Sequence, residues 1–151
     1  MKKLFLAVMF ILNYTVYSQN IEEIKKAETV YVYFKYRKSE QHHNKEKWTK
    51  TNQNYDNYYY IFSYDPNYLS INFSHFPLST PEERIEKKSF IKKNKDLIIT
   101  YEFLTQFNLA EATELLRDKK KVYLIDKKDF CWGKIILKEV DVLGTFPQHN
   151  E

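Results

Sequence analysis

Two runs of alternating side chains, Tyr55–Tyr64 and Tyr68–His75, flank the turn-forming triplet Asp65-Pro66-Asn67, and this arrangement constrains the fold more than any other stretch. Successive strand residues point to opposite faces, so Tyr58, Tyr60, Phe62 and Tyr64 share one face and Tyr59 and Ile61 the other. Leu69, Ile71 and Phe73 line up in the same way on the second run. Asp-Pro-Asn reverses the chain between them. The pattern predicts an antiparallel hairpin with one face in a core.

The same period of two recurs near both ends of the remaining chain. Val30, Val32, Phe34 and Tyr36 alternate with Tyr31, Tyr33, Lys35 and Arg37, which predicts a half-buried strand. Residues 38–54 are polar and aperiodic and read as a long loop or a weak hairpin arm. Val122–Asp126 and Lys134–Val142 read as the last two strands, joined by a hairpin with Phe130 and Trp132 near its tip. Helical signals are shorter. Asn20 and Glu23 suit a capping box before a turn with Ile21, Ile24 and Ala27 on one side. Thr80-Pro81-Glu82-Glu83 has the cap, proline and acids of a helix start, and Ser89 can open a second short helix reaching Lys95. Leu97–Ile99 is a brief apolar stretch. Thr100 is placed to cap a turn carrying Phe103, Leu104 and Phe107, and Asn108 with Glu111 forms another capping box before Ala112, Leu115 and Leu116. Helices and strands without strict alternation favour an α+β fold: an antiparallel sheet of about five or six strands with the helical segment 100–118 packed on one face.

The first residues speak to destination rather than fold. Lys2 and Lys3 precede the apolar run Leu4–Leu12, and Val16-Tyr17-Ser18 follows before Gln19. A cationic start, a short apolar middle and small residues at a cleavage point define a secretory signal. A membrane-crossing helix needs about 20 apolar residues, far more than this run offers. An N-terminal core element would leave two lysines abutting the run as a coincidence. The chain therefore divides into a signal at 1–18 and one domain at 19–151, bound for the periplasm or the exterior, with no integral membrane segment after cleavage. Loss of Lys2 and Lys3 lowers the formal charge from +4 to +2. That balance does not favour a nucleic-acid partner. The densest lysine clusters, Lys45, Lys47 and Lys50, then Lys87 to Lys95, have acids among or beside them and read as solvated surface.

The search for chemistry returns little. The single cysteine, Cys131, cannot cross-link its own chain; between Phe130 and Trp132 it is expected as a small buried hydrophobe. Adjacent His42 and His43 point apart in a strand and are poorly placed to share an ion. His75 reads as a strand-end residue with a satisfied hydrogen bond. The two glycines, Gly133 and Gly144, cannot build a phosphate cradle, and no nucleophile or metal motif is present. No catalytic residue, metal or cofactor is therefore assigned. The abundance of lysine, asparagine, tyrosine and phenylalanine fits AT-rich bacterial coding, which weakens any argument from the 13 tyrosines as such. Tyr58, Tyr60 and Tyr64 nevertheless stand as binding candidates, a flat platform of apolar rings with polar tips. The chain reads as an exported binding or interaction domain whose partner is an unknown protein or cell-envelope component. One alternative is a small exported hydrolase drawing on Asp126, Asp129 and His75. Another is a carbohydrate-binding module using the tyrosine-rich strand 55–68.

Overall fold

The computed structural model describes residues 21–37, 40–50, 53–64, 69–76 and 83–145. The signal segment 1–18, Asn20, the Asp65-Pro66-Asn67 turn, Thr80-Pro81-Glu82 and His149 lie outside the described residues. Chain order is α1 (Ile21–Lys26), β1 (Thr29–Phe34), β2 (Glu40–Lys50), β3 (Gln53–Ser63), β4 (Ser70–His75), β5 (Glu83–Lys87) and α2 (Ser89–Lys93). A 3-10 turn (Lys95–Leu97) then leads to β6 (Ile98–Thr100), α3 (Tyr101–Leu104), α4 (Leu109–Arg117) and β7 (Lys121–Asp126). A second 3-10 turn (Lys127–Asp129), β8 (Lys134–Glu139) and β9 (Asp141–Thr145) complete it.

The α+β class stands, but the expected single antiparallel sheet does not. The described residues form two sheets, a five-stranded one ordered β5-β8-β7-β1-β6 and a four-stranded one ordered β2-β3-β4-β9. The first is mixed: β1 runs parallel to both β6 and β7, while β8 is antiparallel to β7 and β5. Locality misled the reading here, because β1 takes both neighbours from beyond residue 97 instead of from the next strand. The second sheet is antiparallel throughout and contains the expected β3–β4 hairpin, with Tyr60 opposite Phe73 and Phe62 opposite Ile71. The polar stretch that lacked periodicity forms β2, an edge strand with a register shift between His43 and Glu46. Glu83, read as part of a helix start, begins strand β5 instead. Pairing with Ile135 and Ile136 of β8 there outweighs a helical signal that its own residues do not sustain.

Alternation puts Val30, Val32 and Phe34 of β1 on the face toward the second sheet, where Tyr60, Phe62, Ile71 and Phe73 meet them. Phe34 stacks on Phe62 at 5.4 Å between ring centroids and meets Tyr60 edge-on at 5.1 Å. Ile24 from α1, Phe103 and Leu104 from α3, and Leu109, Ala112 and Leu116 from α4 close this core. Each helix start in the 100–118 segment is capped as its sequence predicts. Thr100 accepts from the Phe103 amide, and Asn108 and Glu111 close a reciprocal capping box. The opposite face of the first sheet carries a smaller core of Tyr31, Ile98, Tyr123, Ile125, Ile135 and Leu137, covered by Phe90 and Ile91 of α2 and by Phe130. The chain crosses from one sheet to the other at Val140, between β8 and β9.

Candidate functional site

The carboxyl ends of the parallel strands β1 and β7 gather the densest set of buried polar side chains. Beyond Phe34 the chain leaves the sheet around Glu40, whose carboxylate accepts from the Lys35 amide at 2.6 Å and the Arg37 amide at 3.1 Å. Tyr36 between them adopts a left-handed backbone with φ of 62°. Few side chains larger than glycine or asparagine take that conformation without compensation. Here the compensation is visible: the Tyr36 hydroxyl donates to Asp126 Oδ2 at 2.7 Å.

Asp126 is the last residue of β7 and is 3% exposed. Its other oxygen accepts from the Lys128 amide at 2.8 Å and so caps the 3-10 turn. That turn delivers Asp129 to Lys138 on the neighbouring strand β8, where Nζ and Oδ2 are 2.5 Å apart. Lys138 is 5% exposed, an ammonium inside the sandwich. It also donates to the Tyr60 hydroxyl at 3.2 Å and sits 4.5 Å above the Tyr58 ring. Lys128 Nζ lies 3.5 Å over the Tyr36 ring. The cluster spans both sheets, since Lys138 belongs to the first and Tyr58 and Tyr60 to the second.

Its electrostatics hold the phenols neutral. Burial pushes the Tyr36 hydroxyl well above the ordinary tyrosine range, and its hydrogen bond to Asp126 adds to this. Burial does the same to Tyr60, reinforced by the Asp126 and Asp129 carboxylates. Tyr64 is raised by burial and by Tyr101 beside it. Tyr36 and Tyr60 therefore serve as hydrogen-bonding groups that keep their protons and are unsuited to act as phenolate nucleophiles.

The sequence candidates fall into this picture unevenly. Asp126 and Asp129 come together around Tyr36, Tyr60 and Lys138. His75 is fully buried one strand away: its Nδ1–H donates to the Glu139 carbonyl at 2.6 Å, and Nε2 lies 3.3 Å from a Glu83 carboxylate oxygen. It adjoins the cluster through the Tyr58 ring, 6.3 Å between centroids. The face bearing Tyr58, Tyr60 and Tyr64 is turned to the core, with Tyr60 wholly enclosed and the other two half-buried. Cys131, expected to be buried, is exposed. It opens a tight turn in which Cys131 and Lys134 exchange backbone hydrogen bonds, and this carries the thiol off the sheet. The sequence reading passed over Lys138 and Tyr36. A lysine directly after the apolar run Ile135–Leu137 and two residues on from Ile136, hence on the same strand face as that isoleucine, was the available signal for the first.

Two surface grooves lie elsewhere. One of about 700 Å³ separates α1 from α4, with Phe107 and Leu115 among its walls and lysines and acids in equal number around it. The other, about 460 Å³, runs between the end of α4 and β9. Among the described residues no group of three or more His, Cys, Asp or Glu side chains is placed to hold a metal ion. No described helix is long and apolar enough to cross a membrane. Comparison with protein-family models, with curated proteins and with solved structures finds no match to this chain.

Proposed function

We propose that the protein is an exported binding domain that works at the cell envelope without catalysing a reaction. The observation that carries this reading is the engagement of Asp126, Asp129 and His75, the acids and base best placed for chemistry, in internal contacts. Asp126 receives Tyr36 and the Lys128 amide, Asp129 receives Lys138, and His75 faces Glu139 and Glu83. A general acid or base needs a polar atom within reach of substrate. The bonds of Asp126 and Asp129 lie within the first sheet and its connections, while His75, and Lys138 through Tyr60, tie the second sheet to it. Export rests on the Lys2-Lys3 start, the Leu4–Leu12 run and the Val16-Tyr17-Ser18 junction. The test is N-terminal sequencing of the protein recovered from fractionated native cells. A chain beginning at Gln19 outside the cytoplasm is expected. A cytoplasmic chain still beginning at Met1 overturns the reading.

A further inference from the structure

The most exposed large apolar side chain among the described residues is Trp132, 95% exposed at the tip of the β7–β8 connection. Its backbone is left-handed, with φ of 49°. A bulky residue in that conformation is strained, and glycine or asparagine would sit there at lower cost. The turn thus holds a large indole in water at some expense in stability.

Five lysines lie along this turn and the strand beside it. Lys127 and Lys128 precede the turn, Lys134 follows it, Lys87 pairs with Lys134 across β5 and β8, and the Lys88 amide donates to the Gly133 carbonyl at 2.7 Å. All five lysines are exposed. The acid within this group, Asp129, is turned inward onto Lys138 and presents little charge to solvent. Among the described residues none of the five lysines closes a salt bridge. Lys88 and Lys128 lie instead over the Phe130 and Tyr36 rings. The buried cluster therefore has an outward consequence: it neutralises the acid that this turn itself carries.

We propose that this tip docks on an anionic lipid surface, with Trp132 entering the headgroup layer and the lysines meeting the phosphates. Indole favours the interface between water and hydrocarbon, where its apolar body and polar N–H are both accommodated. A cluster of lysines supplies the attraction that a single side chain lacks. Charge complementarity favours an anionic lipid surface over a protein pocket, since five exposed lysines come from both arms of the turn and from the adjoining end of strand β5. The proposal deepens the binding reading above by naming the envelope component.

The experiment uses the chain beginning at Gln19, which keeps every buried core residue among those described and removes the apolar Leu4–Leu12 run that would itself seek lipid. With Trp48→Phe introduced, Trp132 is the sole indole. Co-sedimentation and emission are read against vesicles of equal parts phosphatidylglycerol and phosphatidylethanolamine, and against phosphatidylcholine alone. Binding to the anionic vesicles with a blue shift, weakened by salt, is expected. Trp132→Ala should weaken binding about tenfold or more, from the lost apolar area. Lys134→Gln and Lys128→Gln should each weaken it about fivefold. Thermal melts that match the parent show that these exposed-site variants fold. No binding to anionic vesicles, or binding unchanged by Trp132→Ala, overturns the proposal. So does emission that ignores vesicles but shifts with soluble envelope proteins, which would assign the tip to a protein partner. Purified protein binds vesicles or does not whatever its cellular address, so this result and the export result fail independently.

Discussion

Removing Asp129 should destabilise the fold more than removing Lys138, although the two form one ion pair. The asymmetry follows from where each partner sits. The Lys138 side chain is 6% exposed and the Asp129 side chain 25%. In Asp129→Asn the ammonium stays inside the sandwich facing an uncharged amide, with the Tyr60 hydroxyl and the Tyr58 ring as its remaining support. Stranding a buried charge typically costs about 3–5 kcal/mol, and the partial solvent access of Asp129 brings this case down to about 2–3 kcal/mol. In Lys138→Met the thioether packs against the same two rings, and Asp129 can rotate toward water. The remaining loss is the hydrogen bond to Tyr60, about 1 kcal/mol. The double variant should resemble Lys138→Met alone, giving a coupling of about 2 kcal/mol. Urea unfolding followed by circular dichroism measures all four chains, and at roughly 4 °C per kcal/mol the Asp129→Asn melt should fall by about 8–12 °C. Equal losses for the two single variants with no coupling would refute the argument, because the lysine would then not depend on its carboxylate.

Three further outcomes follow from the geometry. Tyr36 and Tyr60 have folded values raised above the ordinary 10.0, so the folded state holds protons there that the unfolded chain releases. Their contribution is full below the unfolded value and is lost as pH climbs past it; unfolding midpoints should fall above pH 10, and Tyr36→Phe should reduce that fall. Asn108→Ala removes the amide side of the capping box and should cost about 1 kcal/mol in the same urea assay, with vesicle binding unchanged. Trp132→Gly relieves a left-handed φ at a site that packs against little, so the chain should unfold no more easily, and about 0.5 kcal/mol less easily, while losing its affinity for anionic vesicles.

What the sequence disclosed was local. The Tyr58–Ser63 and Ser70–His75 pairing, the caps at Thr100 and Asn108 and the hairpin ending in Trp132 each depend on residues a few positions apart. The parallel partners of β1 do not: Tyr31 pairs with Ile98 and also with Tyr123, and no local pattern encodes that. The same holds for the polar cluster. Asp126 and Asp129 were visible as acids beside a turn, but their partners Tyr36 and Lys138 come from the end of β1 and the middle of β8. Tyr60 was singled out for exposure and proves to be an interior hydroxyl, because alternation shows which residues share a face without showing which face is wet. Trp132 was placed near a hairpin tip by Gly133 and the preceding lysines. Its exposure and its charged surround needed the turn geometry and the inward rotation of Asp129.

The position of β1 also sets an order of assembly. This strand emerges first, yet its hydrogen bonds wait for β6 and β7, with Thr29 paired to Lys121. The four-stranded sheet is likewise incomplete until β9, the last described strand, docks along β4. Contacts this distant along the chain slow folding, since a long loop must close before any of them forms. A growing chain therefore cannot close the four-stranded sheet until β9 has been made. For the export proposed above, slow closure would help: a chain that has not yet joined its two sheets is the form that can be threaded across a membrane.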